Sequence, residues 1–270
     1  MIEICLMKKL LLLSAFLIFA CSSEDSHNDD DNSIDAVLVE RFELSFIDND
    51  PNSSTFGEEY QSVYSYNYDG NKLTSIDLEI ISEGIDIPDA IQVQYNTANQ
   101  IANLYLYGGD FTEYEYDEQG RMSVYTYTDV DDSPQGQPNS SITNLVYNQD
   151  GTVSALDENG FGTTYTLDDN GNIVSITYND SNEPYFVASY DNKNNPFKNV
   201  LGHSFYISLS PLDSGGLNNN VISLNGVSWS YSYNSNNYPL TIYTSGMLGS
   251  AAPNDWDYAS NINATITYIN

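Results

Sequence analysis

Two histidines, His27 and His203, are all the imidazole this 270-residue chain carries, which limits its chemistry at once. A metal site built on several histidines, or a triad with a histidine base, has almost no material. His203, in Leu201-Gly202-His203-Ser204-Phe205, is expected to be a turn or strand residue with a satisfied ring. No phosphate-binding glycine loop, nucleophile elbow or His-Glu-x-x-His helix occurs. Carboxylates are the remaining catalytic material: 38 Asp and Glu stand against 7 Lys and Arg, for a formal net charge of −31. A glycosidase needs only two of them, roughly 5–9 Å apart, so a polysaccharide hydrolase using a carboxylate pair stays open, with no pair singled out. Most acids occupy turn positions, where capping accounts for them. No catalytic residue and no resident cofactor is implied. Asp48-Asn49-Asp50 and Asp129-Val130-Asp131-Asp132 offer the oxygen ligands that calcium takes, yet neither completes a ligand loop ending in a bidentate Glu.

Binding chemistry has more to draw on. The 23 tyrosines and 2 tryptophans are rigid amphipathic surfaces that can stack on sugar rings or anchor a protein partner. The competing reading is that β-sheets favour Tyr, with rings in cross-strand ladders and hydroxyls at the solvent. Two late segments depart most from that reading, Trp229-Ser230-Tyr231-Ser232-Tyr233 and Asn254-Asp255-Trp256-Asp257-Tyr258. Trp229, Trp256 and Tyr258 are therefore the candidate ligand-binding residues, with Trp256 between two acids suited to a glycan.

These side chains must be positioned by hairpins. Tyr116-Asp117-Glu118-Gln119-Gly120-Arg121-Met122, Tyr147-Asn148-Gln149-Asp150-Gly151-Thr152-Val153 and Leu167-Asp168-Asp169-Asn170-Gly171-Asn172-Ile173 share one pattern. Tyr68-Asp69-Gly70-Asn71-Lys72-Leu73 is a shorter copy, and looser ones surround Tyr95, Tyr190 and Tyr233. Asp or Asn at the first turn position accepts hydrogen bonds from amides two or three residues on, and Gly takes the positive-φ position. Tyr64, Tyr66 and Tyr68, spaced by two, share one face of a strand. After the turns apolar residues fall three apart, as in Leu73 and Ile76, Val153 and Leu156, Ile173 and Ile176. Either both sheet faces are covered there or a bulge restores the parity. The anchors have no fixed period, which argues for a meander over a solenoid. The expectation is an all-β antiparallel meander of many short hairpins, on the order of 12–15 strands, in one strongly curled sheet or a closed barrel. Val37 to Phe46 and Ala264 to Ile269 are the candidate first and last strands that closure would pair.

At the N-terminus Lys8 and Lys9 precede the apolar run Leu10 to Ala20, and Ile18-Phe19-Ala20-Cys21 resembles a bacterial lipobox. The run is too short to span a bilayer. Residues 1–20 are expected to be a lipoprotein signal peptide, read from Met1 or Met7, and cleavage leaves Cys21 as the acylated N-terminal residue. Cys5 leaves with the leader, so no disulfide or thiolate metal site follows. Residues 21–34 are acidic and nearly free of apolar side chains, a solvated tether, and 35–270 form a single all-β domain. Such acidity excludes nucleic acid and anionic head groups as partners and leaves the lipid as the membrane attachment.

The turns resemble the Tyr-Asp units of Rhs and teneurin shells, without their length or regularity. The chain more closely resembles a family of Bacteroidetes lipoproteins that pair a lipobox leader with Tyr-rich hairpins and a late Tyr-Asp-x-Lys-x-Asn-Pro-Phe segment. That segment stands here as Tyr190-Asp191-Asn192-Lys193-Asn194-Asn195-Pro196-Phe197. The resemblance covers about Asp35 to Asn270 and implies a curled, porin-like antiparallel sheet, an outer-membrane lipoprotein exposed at the cell surface, and no catalytic residues. Insertion as a pore is not expected, because short strands interrupted by Asn, Ser and Asp lack an apolar outer row. The expected function is a non-enzymatic surface module binding a glycan or a protein partner; the alternative is the carboxylate-pair hydrolase.

Overall fold

The protein's structure, a computed structural model, describes residues 36–49, 51, 56–81, 85–130, 138–204, 206, 207, 209–212, 216–244 and 259–269. Their strands are β1 (Leu38–Asp48), β2 (Glu59–Asp69), β3 (Lys72–Ile80), β4 (Ile85–Tyr95), β5 (Ile101–Tyr105), β6 (Phe111–Tyr116), β7 (Met122–Asp129) and β8 (Asn139–Tyr147). They continue as β9 (Val153–Leu156), β10 (Gly162–Leu167), β11 (Ile173–Tyr178), β12 (Phe186–Tyr190), β13 (Val221–Leu224), β14 (Val227–Ser228), β15 (Ser230–Tyr233), β16 (Pro239–Thr244) and β17 (Ala259–Ile269). All belong to one 17-stranded sheet in which every pairing is antiparallel.

The sheet closes on itself. β1 pairs with β2 on one side and with β17 on the other, from Leu38 opposite Ile269 to Asp48 opposite Ala259. The two end segments expected from the sequence are the ones that meet. β14 and β15 are halves of one extended run broken at Trp229, whose N–H still donates to the Ile222 carbonyl at 2.9 Å. Counting them as one leaves sixteen of the 17, the even number an all-antiparallel ring requires.

The parity question is answered by bulges. Leu73 pairs with Tyr68 and Ser75 with Asn67, so Thr74 is extra and both Leu73 and Ile76 face inward. The same one-residue shift follows the turn at Tyr95, Tyr116, Leu167, Tyr190 and Tyr233. At Tyr147 the register is regular, and it is Val153 and Ala155, two apart, that are buried rather than Val153 and Leu156. Bulges raise local twist, which helps this sheet roll.

A bulge leaves ladder groups without their usual partner, and buried backbone groups need one. Here the inward tyrosine of the next hairpin supplies it. Tyr116 Oη donates to the Ile101 carbonyl at 2.6 Å, Tyr147 to Met122 at 2.9 Å and Tyr190 to Ile173 at 2.6 Å. Tyr231 donates to Val221 and Tyr268 to Pro239, each at 2.6 Å, while Tyr95 Oη accepts from the Leu73 amide at 3.0 Å. In every case the bonded residue lies at the bulge, and all but Leu73, the second residue of β3, are the first strand residue after a turn. The unbulged hairpin is the exception that fits: the position that would reach Val153 is Leu167, which has no hydroxyl. These tyrosines thus face inward and bond backbone rather than solvent.

The turns hold as expected with one adjustment. Asp117, Asp168, Asn96 and Asn234 accept side-chain hydrogen bonds from amides two and four residues on, not two and three. Gly120 and Gly171 take φ of 77° and 79°, and Asn99 and Asn237 fill that position at 61° and 64°.

The interior is filled from within. The long connection 191–220 between β12 and β13 turns into the ring, and Phe197, Val200, Ile207, Leu209 and Leu212 join the core with Phe42, Leu73, Ile101 and Ile266. Tyr66 Oη from β2 donates to the Leu209 carbonyl at 3.0 Å, and the Tyr206 ring meets both Tyr125 and Tyr165 from β7 and β10. The segment therefore touches walls on several sides of the ring.

Candidate functional site

Because strands alternate in direction, their connections fall on two rims. The Tyr-Asp turns, the entry to the 191–220 plug and both ends of the β-ring, near Leu38 and Ile269, share the near rim. The far rim carries the connections after β1, β3, β5, β7, β9, β11, β13 and β16.

The near rim is a clasp. Asn172, fully buried, accepts on Oδ1 the amides of Leu217, Asn218 and Asn219 at 3.0, 3.0 and 3.2 Å, and donates through Nδ2 to Asp168 and Asn219. Asp191 accepts from the Lys193 and Asn220 amides and from the Tyr233 hydroxyl. These bonds either tie the plug to the wall or fix the turns that do so, and the clasp is structural.

Of the candidate binding residues, Trp229 lies in the core with 6% of its surface exposed. Its indole faces a small interior cavity beside Phe197, His203 and Ser204. A ring so enclosed cannot stack on an external sugar, and the burial follows from Trp229 sitting where β14 gives way to β15. Trp256 and Tyr258, in the connection between β16 and β17, lie outside the described residues, as does Cys21. So do Asp50, Asp131 and Asp132 of the two acidic clusters. Among the described residues no group of three or more His, Cys, Asp or Glu is placed to hold a metal. His203 departs from the expected satisfied ring: its Nδ1 is buried without a hydrogen-bond partner. Burial lowers its pKa to about 4, which the nearby Ile207 and Phe197 backbone groups offset only in part.

Among the described residues, the carboxylates whose proton affinity the fold alters, Asp110, Asp117 and Asp150, all move downward. Asp110 is held low by the Val130 amide and the Tyr127 hydroxyl, and Asp150 by the Thr152 side chain and amide. At Asp117 burial pushes upward but is outweighed by the hydrogen bonds and charge of Arg121. A general acid needs the opposite shift.

A surface with binding character stands on the far rim, where sequence reasoning did not look. Phe161 is 70% exposed and Tyr178 51%, and they line a hollow of about 320 Å³ with Asp157, Thr163, Asn179 and Asp180. The hairpin of β10 and β11 places them, with Thr163 opposite Tyr178 in register. Asp157 Oδ1 accepts the Asn159 and Phe161 amides at 2.8 and 2.9 Å, which fixes the turn that presents Phe161. Tyr178 stacks on Tyr185 with ring centroids 4.3 Å apart and planes 23° from parallel. Tyr185 is the more buried partner, and burial, then the Tyr165 and Tyr178 phenols, raises it to about 12. Tyr178 is thus held at a fixed tilt by its neighbour, with one face left to solvent. One signal could have found it: the residue after the turn glycine is Arg121, Thr152 or Asn172 in the near-rim turns but Phe161 here.

The outer wall is mixed: Tyr105, Ile142, Val146, Val187, Ile222, Leu240 and Tyr243 are exposed on β5, β8, β12, β13 and β16, and polar rows stand on other strands. Glu43, Gln61, Asn67, Asp77, Glu79, Glu113, Glu115, Asn263 and Thr265 point outward and are exposed. Strand length does not exclude membrane insertion, since β1, β2, β4 and β17 each have 11 residues. Polar residues such as Glu43, Asp77, Glu113 and Thr265 interrupt the apolar band that a lipid-facing barrel carries.

No family model matches the chain, and no curated protein does. Among solved structures the chain is similar to a porin-like protein from Bacteroides uniformis, with a TM-score of 0.50 and 13% identity over 86% of this chain and 96% of that one. At that identity the likeness is one of fold: a single antiparallel β-sheet, closed or nearly so, shared with a porin-like protein of a Bacteroides species.

Proposed function

We propose that the chain is a non-enzymatic surface lipoprotein that binds a glycan on the far rim of its barrel. The observation that carries this reading is the Phe161–Tyr178 platform, two exposed rings beside a hollow large enough for a sugar residue and edged by Asp157, Asn179 and Asp180. Flat aromatic faces take the apolar faces of a pyranose, and carboxylate and amide oxygens take its hydroxyls. Residues 1–20 act as the leader, and the lipid on Cys21 is the membrane attachment. The platform lies at the rim opposite the start of β1 at Leu38. A net charge of −31 turns nucleic acid and anionic head groups away. The hydrolase reading is weaker, because the carboxylates that the fold perturbs are held ionised.

The test is a glycan array probed with soluble Ser22–Asn270, with calcium and with chelator, followed by Phe161→Ala, Tyr178→Ala and Trp256→Ala. A hit weakened about tenfold or more by either of the first two supports the platform. A hit that only Trp256→Ala abolishes moves the site from the platform to Trp256. A silent array refutes glycan binding and turns the search to a protein partner.

A further inference from the structure

The plug meets the wall around a cavity of about 40 Å³, lined by Phe42, Phe197, His203, Ser204, Trp229 and Ile242 among others. Three side chains bring polar atoms to this one space that no protein group satisfies: His203 Nδ1, Ser204 Oγ and Trp229 Nε1. Trp229 is 94% buried by the complement of its 6% exposure, and its only polar atom is a donor. An unpaired buried polar group costs about 1–3 kcal/mol, and three around one cavity would be an unusual concentration of that penalty.

We propose that this cavity is a built water site, in which two or three ordered water molecules bridge His203, Ser204 and Trp229 and join the plug to the wall. The volume fits, since a buried water needs on the order of 10–15 Å³ of such space. The chemistry fits as well. Trp229 can only donate, Ser204 can donate or accept, and an imidazole Nδ1 can do either according to its tautomer, so a small chain of waters satisfies all three. Burial holds the ring of His203 neutral near pH 7, so a neutral guest suffices and no counter-ion is required. The flanking walls are apolar at Phe42, Phe197 and Ile242, which confines the water to the polar side. The site also explains why a Trp, rather than a residue with no donor, can stand at the break between β14 and β15.

The experiment is water-selected NMR on the folded protein labelled with ¹⁵N-tryptophan, in which Trp256→Phe identifies the Trp229 indole resonance. The expected result is a dipolar cross-peak from Trp229 Hε1 to water with the sign of a long-lived bound molecule. Ser204→Ala removes the hydroxyl proton that could relay the signal, and the cross-peak is expected to persist. Its absence, or its loss in Ser204→Ala with the fold intact, overturns the proposal. Should Ser204→Ala not fold, a crystal structure of the native chain decides: density within hydrogen-bonding distance of Trp229 Nε1 and at least one of the other two atoms supports the water site. A dry cavity, or a direct bond between two of the three, refutes it.

Discussion

Replacing the inward tyrosines by phenylalanine isolates the hydroxyl that serves each bulge. Tyr116, Tyr190 and Tyr268 are the sharpest cases, each donating at 2.6 Å to a backbone carbonyl of the preceding hairpin. Phenylalanine keeps the ring and its packing, so the change is the loss of one bond and the stranding of one acceptor. A neutral hydrogen bond is worth about 0.5–1.5 kcal/mol net, and an unsatisfied buried acceptor costs about 1–3, which puts each variant near 1–2 kcal/mol. The three sit on β6, β12 and β17 and bond different hairpins, so their costs add to about 3–6 kcal/mol in the triple variant. With a urea slope of about 3 kcal/mol per molar, the unfolding midpoint should fall by about 1 M or more at unchanged slope. Tyr178→Phe is the control: its ring is half exposed, and the change should stay within about 0.5 kcal/mol. A triple variant costing under about 1 kcal/mol, or a Tyr178→Phe that costs as much as Tyr190→Phe, refutes the account.

Alkaline pH should act on the same groups. Tyr116 is raised to about 12 by burial first and then by the Tyr147 and Tyr95 phenols, so its contribution is whole below the unfolded value near 10 and is lost as pH rises through about 12. Tyrosinate absorbance and circular dichroism should therefore change together in that window; phenols that all titrate near 10 with the fold intact would contradict it. Asn172→Ala strands the amides of Leu217, Asn218 and Asn219 and should cost about 3 kcal/mol, with faster proteolysis inside 191–220. A loss under about 1 kcal/mol would show that the clasp is not needed. In planar lipid bilayers the purified protein should give no conductance steps, because the 191–220 segment fills the lumen; reproducible steps would overturn that reading.

Local pattern made the meander legible, down to the terminal strands that close it, because turn chemistry and side-chain alternation act within a few residues. The three-residue spacing of Leu73 and Ile76 announced a departure from alternation, but coverage of both faces and a bulge leave the same mark in sequence. Only the pairing of Leu73 with Tyr68 and Ser75 with Asn67 separates them. Outward tyrosine hydroxyls were a fair expectation for an open sheet; closure turned those faces inward. The plug left no pattern, since Phe197, Val200, Ile207, Leu209 and Leu212 meet the core at irregular intervals. The platform was missed for a different reason. Phe161 and Tyr178 are 17 residues apart and meet only through the β10–β11 register, whereas the tryptophans drew attention by type alone.

The bulges and tyrosines together bear on what the likeness to a porin-like protein can mean. A closed antiparallel ring is specified by its inward rows, by the turns, and here by bulges whose freed backbone groups are taken up by tyrosine. None of these constrains the outward rows, which face the surrounding medium and decide between lipid and water. In this chain they mix Glu, Asp, Gln, Asn and Thr with exposed apolar residues such as Val146, Val187, Ile222 and Leu240, and the space they enclose is occupied by the chain's own 191–220 segment. Porin-like shape and porin-like transport thus rest on separate sets of residues. The near rim is committed to holding the plug and the ends of the ring, so sequence there is tied to the fold. The far rim bears no such load at the 157–161 turn. A phenylalanine 70% exposed at such a position gives the fold no burial energy that a polar residue would forfeit, and its use is to be sought in what it contacts outside the molecule.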